Sequence, residues 1–202
     1  MSPNSIRVWD PLVRIGHWLL VVAFVVAYVT EGDPLTIHVW AGYTVAAVVV
    51  VRVVWGFVGP RRARFSDFLY APATAVRYLR DLVLRRAPRY LGHSPAGGLM
   101  VVALLVCLAA TTITGMMTLA DSANAGPLAP WFGNQAVVEQ RATAEAAGQR
   151  FRYRSPYKEP HEMLANLTLL LVILHIGGVA LASFAHHENL PRAMVTGMKR
   201  AE

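Results

Sequence analysis

Four of the seven histidines, His17, His38, His161 and His175, fall within or at the ends of long apolar runs. An ionisable ring is expensive to keep there, and the functional readings are a metal ligand, a proton relay or an axial ligand to haem iron. The bland alternative for each is a hydrogen-bonded packing residue, or, for His38 and His161, an interfacial polar residue. Arrangement decides between them. His161 and His175 stand 14 residues apart, which at about 100° per residue is four turns less about 40°. Both rings therefore leave one face of a helix, about 21 Å apart along its axis. Zinc or a proton relay calls for three or four ligands at one level together with carboxylates, and the apolar runs hold none in their interiors, Glu162 standing at the edge of the fourth.

The elements that must position these rings follow from hydropathy. Residues 11–30, 35–58, 95–119 and 162–184 are each long enough, at about 20 mostly apolar residues, to cross about 30 Å of hydrocarbon. The connection between the second and third runs holds Arg61, Arg62, Arg64, Arg77, Arg80, Arg85, Arg86 and Arg89 against Asp67 and Asp81, so it and both termini are expected on the cytoplasmic side. Met1–Asp10 reads as too short for a separate targeting segment, and the first run as an uncleaved signal anchor. With that topology His17 and His175 share the inner half of the membrane, and His38 and His161 share the outer boundary. Two histidine pairs at two depths suit two six-coordinate b haems, whose closed coordination favours electron transfer.

Arginines add to this reading. Arg52 follows His38 by 14 residues on the same expected helix face, at the depth of an inner haem, where it could pair with a propionate. Arg14 precedes His17 by about one turn and either binds the cofactor or snorkels to the headgroups. Gly16, Gly42, Gly115, Gly177 and Gly178 would admit a flat macrocycle or simply tight helix packing. Trp18, Trp40 and Trp55 read as interfacial belt residues, and His93, His186 and His187 as solvated.

Composition excludes other classes. The chain has 202 residues, 55% hydrophobic and 15% charged, with a mean hydropathy of +0.41, too apolar for a soluble domain. Its net charge of +7 is distributed as a topology signal between apolar runs, so no nucleic-acid partner is expected. A single cysteine, Cys107, rules out an internal disulfide and a Cys-ligated iron–sulfur cluster, and the lack of Cys-x-x-Cys-His rules out covalent c-type haem. Ser66–Arg86 intersperses apolar residues with arginines, as an amphipathic helix on an anionic leaflet would. The connection from Ala120 to Pro160 is expected outside, with a short helix over Val137–Gln149.

Four segments resemble the bacterial cytochrome b561 family, which includes the b-type cytochrome subunits of nickel–iron hydrogenases. They are Arg14-Ile-Gly-His17-Trp18, His38-Val-Trp-Ala-Gly42, Arg89-Tyr-Leu-Gly-His-Ser-Pro95 and His161-Glu-Met-Leu-Ala-Asn166 with His175. The likeness runs from Val8 to about Arg200, apart from the Asp121–Pro160 loop. It implies an all-α transmembrane four-helix bundle holding two haem b, with the first and fourth helices supplying one pair of ligands and the second and fourth the other. A cytoplasmic amphipathic helix and a long periplasmic loop complete the expected single domain over residues 1–202.

The expected activity is electron exchange between the membrane's quinone pool and a periplasmic cytochrome or oxidoreductase, in the bacterial inner membrane. One alternative is a superoxide oxidase reducing ubiquinone, with Arg150, Arg152, Arg154 and Lys158 steering the anion. Another is a haem-free metal or proton transporter.

Overall fold

The computed structural model describes residues 5–201, so the expectation for Met1–Asp10 lies partly outside the described residues. Eight helices and two short strands form it. Helix α1 (Pro11–Thr30) starts where Asp10 caps it, its carboxylate accepting from Val13 N at 3.1 Å, with Pro11 at the first helical position. Helix α2 (Leu35–Val58) packs against α1 after a four-residue turn. A single 3-10 turn, Phe65–Asp67, precedes α3 (Pro72–Val83). Between helices α4 (Pro95–Ala123) and α7 (Lys158–Ala185) the chain forms two short helices, α5 (Ala129–Phe132) and α6 (Gln135–Ala146). A last helix, α8 (Leu190–Thr196), follows α7.

Helices α1, α2, α4 and α7 are the four that are long and apolar enough to cross a membrane. The first two match the expected boundaries, while α4 and α7 extend beyond theirs by about a turn. Few positions along them are buried, and large apolar side chains such as Val22, Val54, Val106 and Ile173 lie exposed, as a lipid-facing surface requires. The expected short outer helix forms as α6, starting two residues earlier than the sequence indicates, at the Asn134 cap, whose side chain accepts from Val137 N.

The all-α expectation needs one correction. Strand β1 (Ser5–Arg7) pairs antiparallel with β2 (Met198–Arg200), with Ile6 opposite Lys199. Val8 and Trp9 pack on Ala193 beneath this ladder, forming a small apolar cluster that ties the two ends of the described chain together. Three-residue strands separated by almost the whole chain carry no periodicity, so sequence patterning does not register them.

By its contacts the chain divides into two compact units. One runs to Val106 and resumes at Leu169; the other is Cys107–Thr168.

Candidate functional site

In the first unit, α1 presents His17 and α7 presents His175 so that the two rings confront each other with centroids 6.4 Å apart, inclined by 55°. That separation is too wide for a ring–ring hydrogen bond and wide enough to admit an atom between the rings. A metal held about 2.0 Å from each ligating nitrogen, itself about 1.2 Å from its ring centre, puts the centroids about 6.4 Å apart. His17 Nδ1 is buried without a hydrogen-bond partner. Trp18 lies edge-on against the His17 ring, with centroids 5.2 Å apart at 90°.

His38, in the same unit, donates its Nδ1–H to the Ala27 carbonyl at 2.8 Å. His161, in the second unit, donates Nδ1–H to the Thr111 carbonyl at 2.9 Å. A carbonyl can only accept, so both rings are fixed in the tautomer that leaves Nε2 as the basic nitrogen. This is the arrangement in which a backbone carbonyl orients a ligating imidazole. Gly115 makes room for the second of these rings: a Cβ there would lie 2.9 Å from His161 Cε1. Thr111 is held in turn, its hydroxyl reaching Cys107 O at 2.7 Å and the fully buried Thr168 hydroxyl at 3.2 Å. Among the described residues no three His, Cys, Asp or Glu side chains converge as a bare metal ion would require.

Arg52, on α2, lies over two aromatic rings, 5.3 Å from the Phe65 centroid and 5.8 Å from that of Phe68, and its Nη1 is buried without a partner. Arg14 instead reaches along the end of α1 and donates from Nη2 to the Val195 carbonyl, with Nε buried and unsatisfied. This contact depends on Gly197, in the left-handed region at φ +80°, where a Cβ would press on both Arg14 and Trp9.

The reading of His93 as solvated is wrong. Its ring is packed between Trp9 (4.6 Å) and Phe68 (4.3 Å), and Nδ1 is buried without a partner. Burial first, then the charges of Arg52 and Lys199 and the nearby His175, lower its pKa to about 3. His186 is also half-buried, facing the Tyr78 hydroxyl at 3.3 Å, and burial lowers its pKa; His187 is exposed, as expected. The signal available in the sequence was position: His93 stands two residues before the span beginning at Pro95, where a core contact is as close as the headgroups.

Around this end of the first unit a buried ion network closes. Glu188 accepts from Arg89 Nε at 2.8 Å and pairs with Lys199 Nζ at 3.2 Å, while Lys199 also donates to Tyr90 O at 3.1 Å. Burial works to raise the Glu188 pKa, but the hydrogen bond from Arg89 and the charge of Lys199 outweigh it and hold the carboxyl below its ordinary value. Also in the first unit, an open apolar groove of about 450 Å³ runs between α1 and α8, lined by Trp18, Leu19, Val22, Met194 and Val195, with Arg14 at its edge.

In the second unit Asp121 accepts from the Tyr153 hydroxyl at 2.8 Å and Asn134 Nδ2 at 3.3 Å, anchoring the segment between α4 and α7. Of the four basic residues ahead of His161, Arg154 pairs with Glu159 at 3.1 Å and Lys158 with Glu162 at 3.6 Å. Arg150 and Arg152 are exposed.

Four helices are long and apolar enough to cross a membrane, and three of them carry the histidines described above. The chain belongs to the prokaryotic cytochrome b561 family, whose model matches residues 8–197. It is thus a b-type membrane cytochrome of electron transfer, from a family that binds b-type haem. A probable Ni/Fe-hydrogenase B-type cytochrome subunit from Rhizobium leguminosarum bv. viciae is 26% identical over 121 residues, covering 46% of this chain and 50% of that protein. The chain therefore spans about half the length of that curated relative. No solved structure matches the chain.

Proposed function

We propose that the chain holds two b haems, one between His17 and His175 and one between His38 and His161. It exchanges electrons between the quinone pool and a redox partner on the periplasmic side, with its ends cytoplasmic. The observation that carries this reading is the 6.4 Å spacing of the His17 and His175 rings, which leaves room for these two side chains to hold a haem between them. When bound, haem b supplies one-electron iron chemistry, and the protein supplies ligands, orientation and electrostatics. His38 and His161 keep their Nε2 directed by the carbonyls of Ala27 and Thr111. The apolar faces of α1, α2, α4 and α7 exclude water from the ligands.

The groove at Arg14 and Trp18 suits a quinone: apolar walls for the ring and tail, a guanidinium for a carbonyl oxygen, and Trp18 as the side chain shared with His17. Helix α3 turns exposed Val76, Leu79 and Val83 outward beside Arg77 and Arg80, a surface suited to the anionic inner leaflet. The relative's name makes a hydrogenase one candidate for the partner. Superoxide oxidation is the second reading, favoured by exposed Arg150 and Arg152 just ahead of His161, although the pairing of Arg154 and Lys158 leaves the cluster half its nominal charge.

A pyridine haemochrome assay on purified protein tests the main reading, with two non-covalent b haems per chain expected. His175→Ala should remove one and His38→Ala the other. One haem or none in the unaltered protein would overturn it. Superoxide consumption by the isolated chain separates the enzyme from the carrier.

A further inference from the structure

Among the described residues five buried side-chain nitrogens lack a hydrogen-bond partner: Arg14 Nε, His17 Nδ1, Arg52 Nη1, Trp55 Nε1 and His93 Nδ1. All five belong to the first unit. Two of them converge on one aromatic side chain. Phe68, only 1% exposed, carries the Arg52 guanidinium 5.8 Å from its ring centre and the His93 ring at 4.3 Å. His93 also feels the charge of Arg52 and the proximity of His175, so the three groups share one neighbourhood.

A guanidinium keeps its charge when buried, so an apolar site must provide it with an anion. The chain does not. Asp10, the acid that bears on Arg52, spends its carboxylate capping α1 at Val13 N, and Asp67 faces Arg61 at 3.8 Å. The missing anion has to arrive with a ligand. A quinone oxygen is neutral and would satisfy the His93 donor while leaving the Arg52 charge uncompensated. A carboxylate satisfies both. Haem b carries two carboxylates on one edge of its ring.

We propose that Arg52 and His93 together form the carboxylate cradle for the propionates of the haem held by His17 and His175, with His93 donating Nδ1–H beside the Arg52 guanidinium. This rests on the two-haem reading above. His93 is then a positioning residue: it fixes the rotation of the macrocycle about the His17–His175 axis and does not ligate iron. His93 offers an N–H donor and Arg52 the positive charge, so the two side chains divide the recognition of a carboxylate between them.

The test uses the intact holoprotein. Resonance Raman spectra report the haem propionate bending band, a redox titration reports both midpoint potentials, and a haemochrome assay counts haems. His93→Phe should keep two haems, shift the propionate band, and lower the potential of the haem that His175→Ala removes, leaving the other unchanged. His93→Gln, which keeps an N–H donor, should restore much of both signals. If His93→Phe does not fold, Arg52→Gln leaves the Trp9–His93–Phe68 stack in place and must move the same band. Two haems with an unmoved band and unmoved potentials would overturn the cradle alone, as would a shift confined to the haem that depends on His38. Absence of a haem dependent on His175 in otherwise unaltered protein would instead overturn the reading on which the cradle stands.

Discussion

Replacing Gly115 with alanine should cost the protein one of the two haems proposed above while leaving the other. The added Cβ would sit 2.9 Å from His161 Cε1 and 3.2 Å from Nδ1. Ordinary carbon contacts lie at about 3.5–4.0 Å, so the imidazole must withdraw by roughly 0.6–1 Å. The ring is held by its Nδ1–H to Thr111 O at 2.9 Å, and a withdrawal of that size takes the bond to or beyond the useful limit of about 3.5 Å. Moving the helices apart instead would open the buried Thr111–Thr168 contact at 3.2 Å. A lost hydrogen bond costs about 1 kcal/mol and overpacking about 1–3 kcal/mol. A combined penalty of about 2–4 kcal/mol corresponds to haem binding about 30- to 900-fold weaker at this ligand. That range overlaps the roughly 10- to 100-fold seen when partners that orient metal-bound histidines are removed. Haemochrome titration after detergent washing should fall from about two haems per chain toward one, with the component sensitive to His175→Ala retained. Two haems held with unaltered affinity would show that the His161 ring is not fixed by this packing, and the ligand assignment built on its tautomer would fall with it.

Arg52→Leu removes a buried positive charge; at about 10 Å and an effective dielectric near 20 the charge is worth about 1.7 kcal/mol, so one haem potential should drop by about 70 mV in a redox titration. A change confined to the haem dependent on His38 would contradict the placement of Arg52. Glu188→Gln leaves Lys199 and Arg89 without their buried anion and should destabilise the protein by about 3–5 kcal/mol, read as a lower midpoint in thermal unfolding in detergent. Because the folded Glu188 pKa lies below the ordinary value of 4.5, its contribution is present above that pH and is lost as pH falls through the depressed value. The unaltered protein should therefore lose midpoint on acidification below about pH 4.5, and Glu188→Gln should flatten this loss. Neutralising Arg150 and Arg152 to Gln should slow reduction from outside and weaken its salt dependence, since the screening length is about 10 Å at 0.1 M, with haem content unchanged. A rate indifferent to both charge and salt would assign these arginines to a solvated face.

The parts of this protein that were legible in its sequence are those that local physics decides. Uninterrupted apolar length marks α1, α2, α4 and α7, because hydrocarbon tolerates no unsatisfied backbone and a spanning segment must be a helix of about 20 residues. The cost of a histidine in that setting singles out His17, His38, His161 and His175, and a 14-residue interval on one helix separates two of them in depth. Arg52 stood out for the same reason.

Tertiary contacts decided the rest. His93 reads as solvated from its basic neighbours, yet Trp9 and Phe68, 84 and 25 positions earlier in the chain, enclose it and depress its pKa to about 3. The β1–β2 ladder and the Arg89–Glu188–Lys199 network likewise join residues that are distant in the chain and meet only when it folds. Arg14 was ambiguous between cofactor and headgroups, and it instead spends a guanidinium nitrogen on the last turn of α8, which no local pattern announces. Hydropathy reports how a residue meets its solvent one element at a time. Burial of a charge or a donor depends on which distant side chains arrive to replace that solvent, and that is settled only by the folded chain.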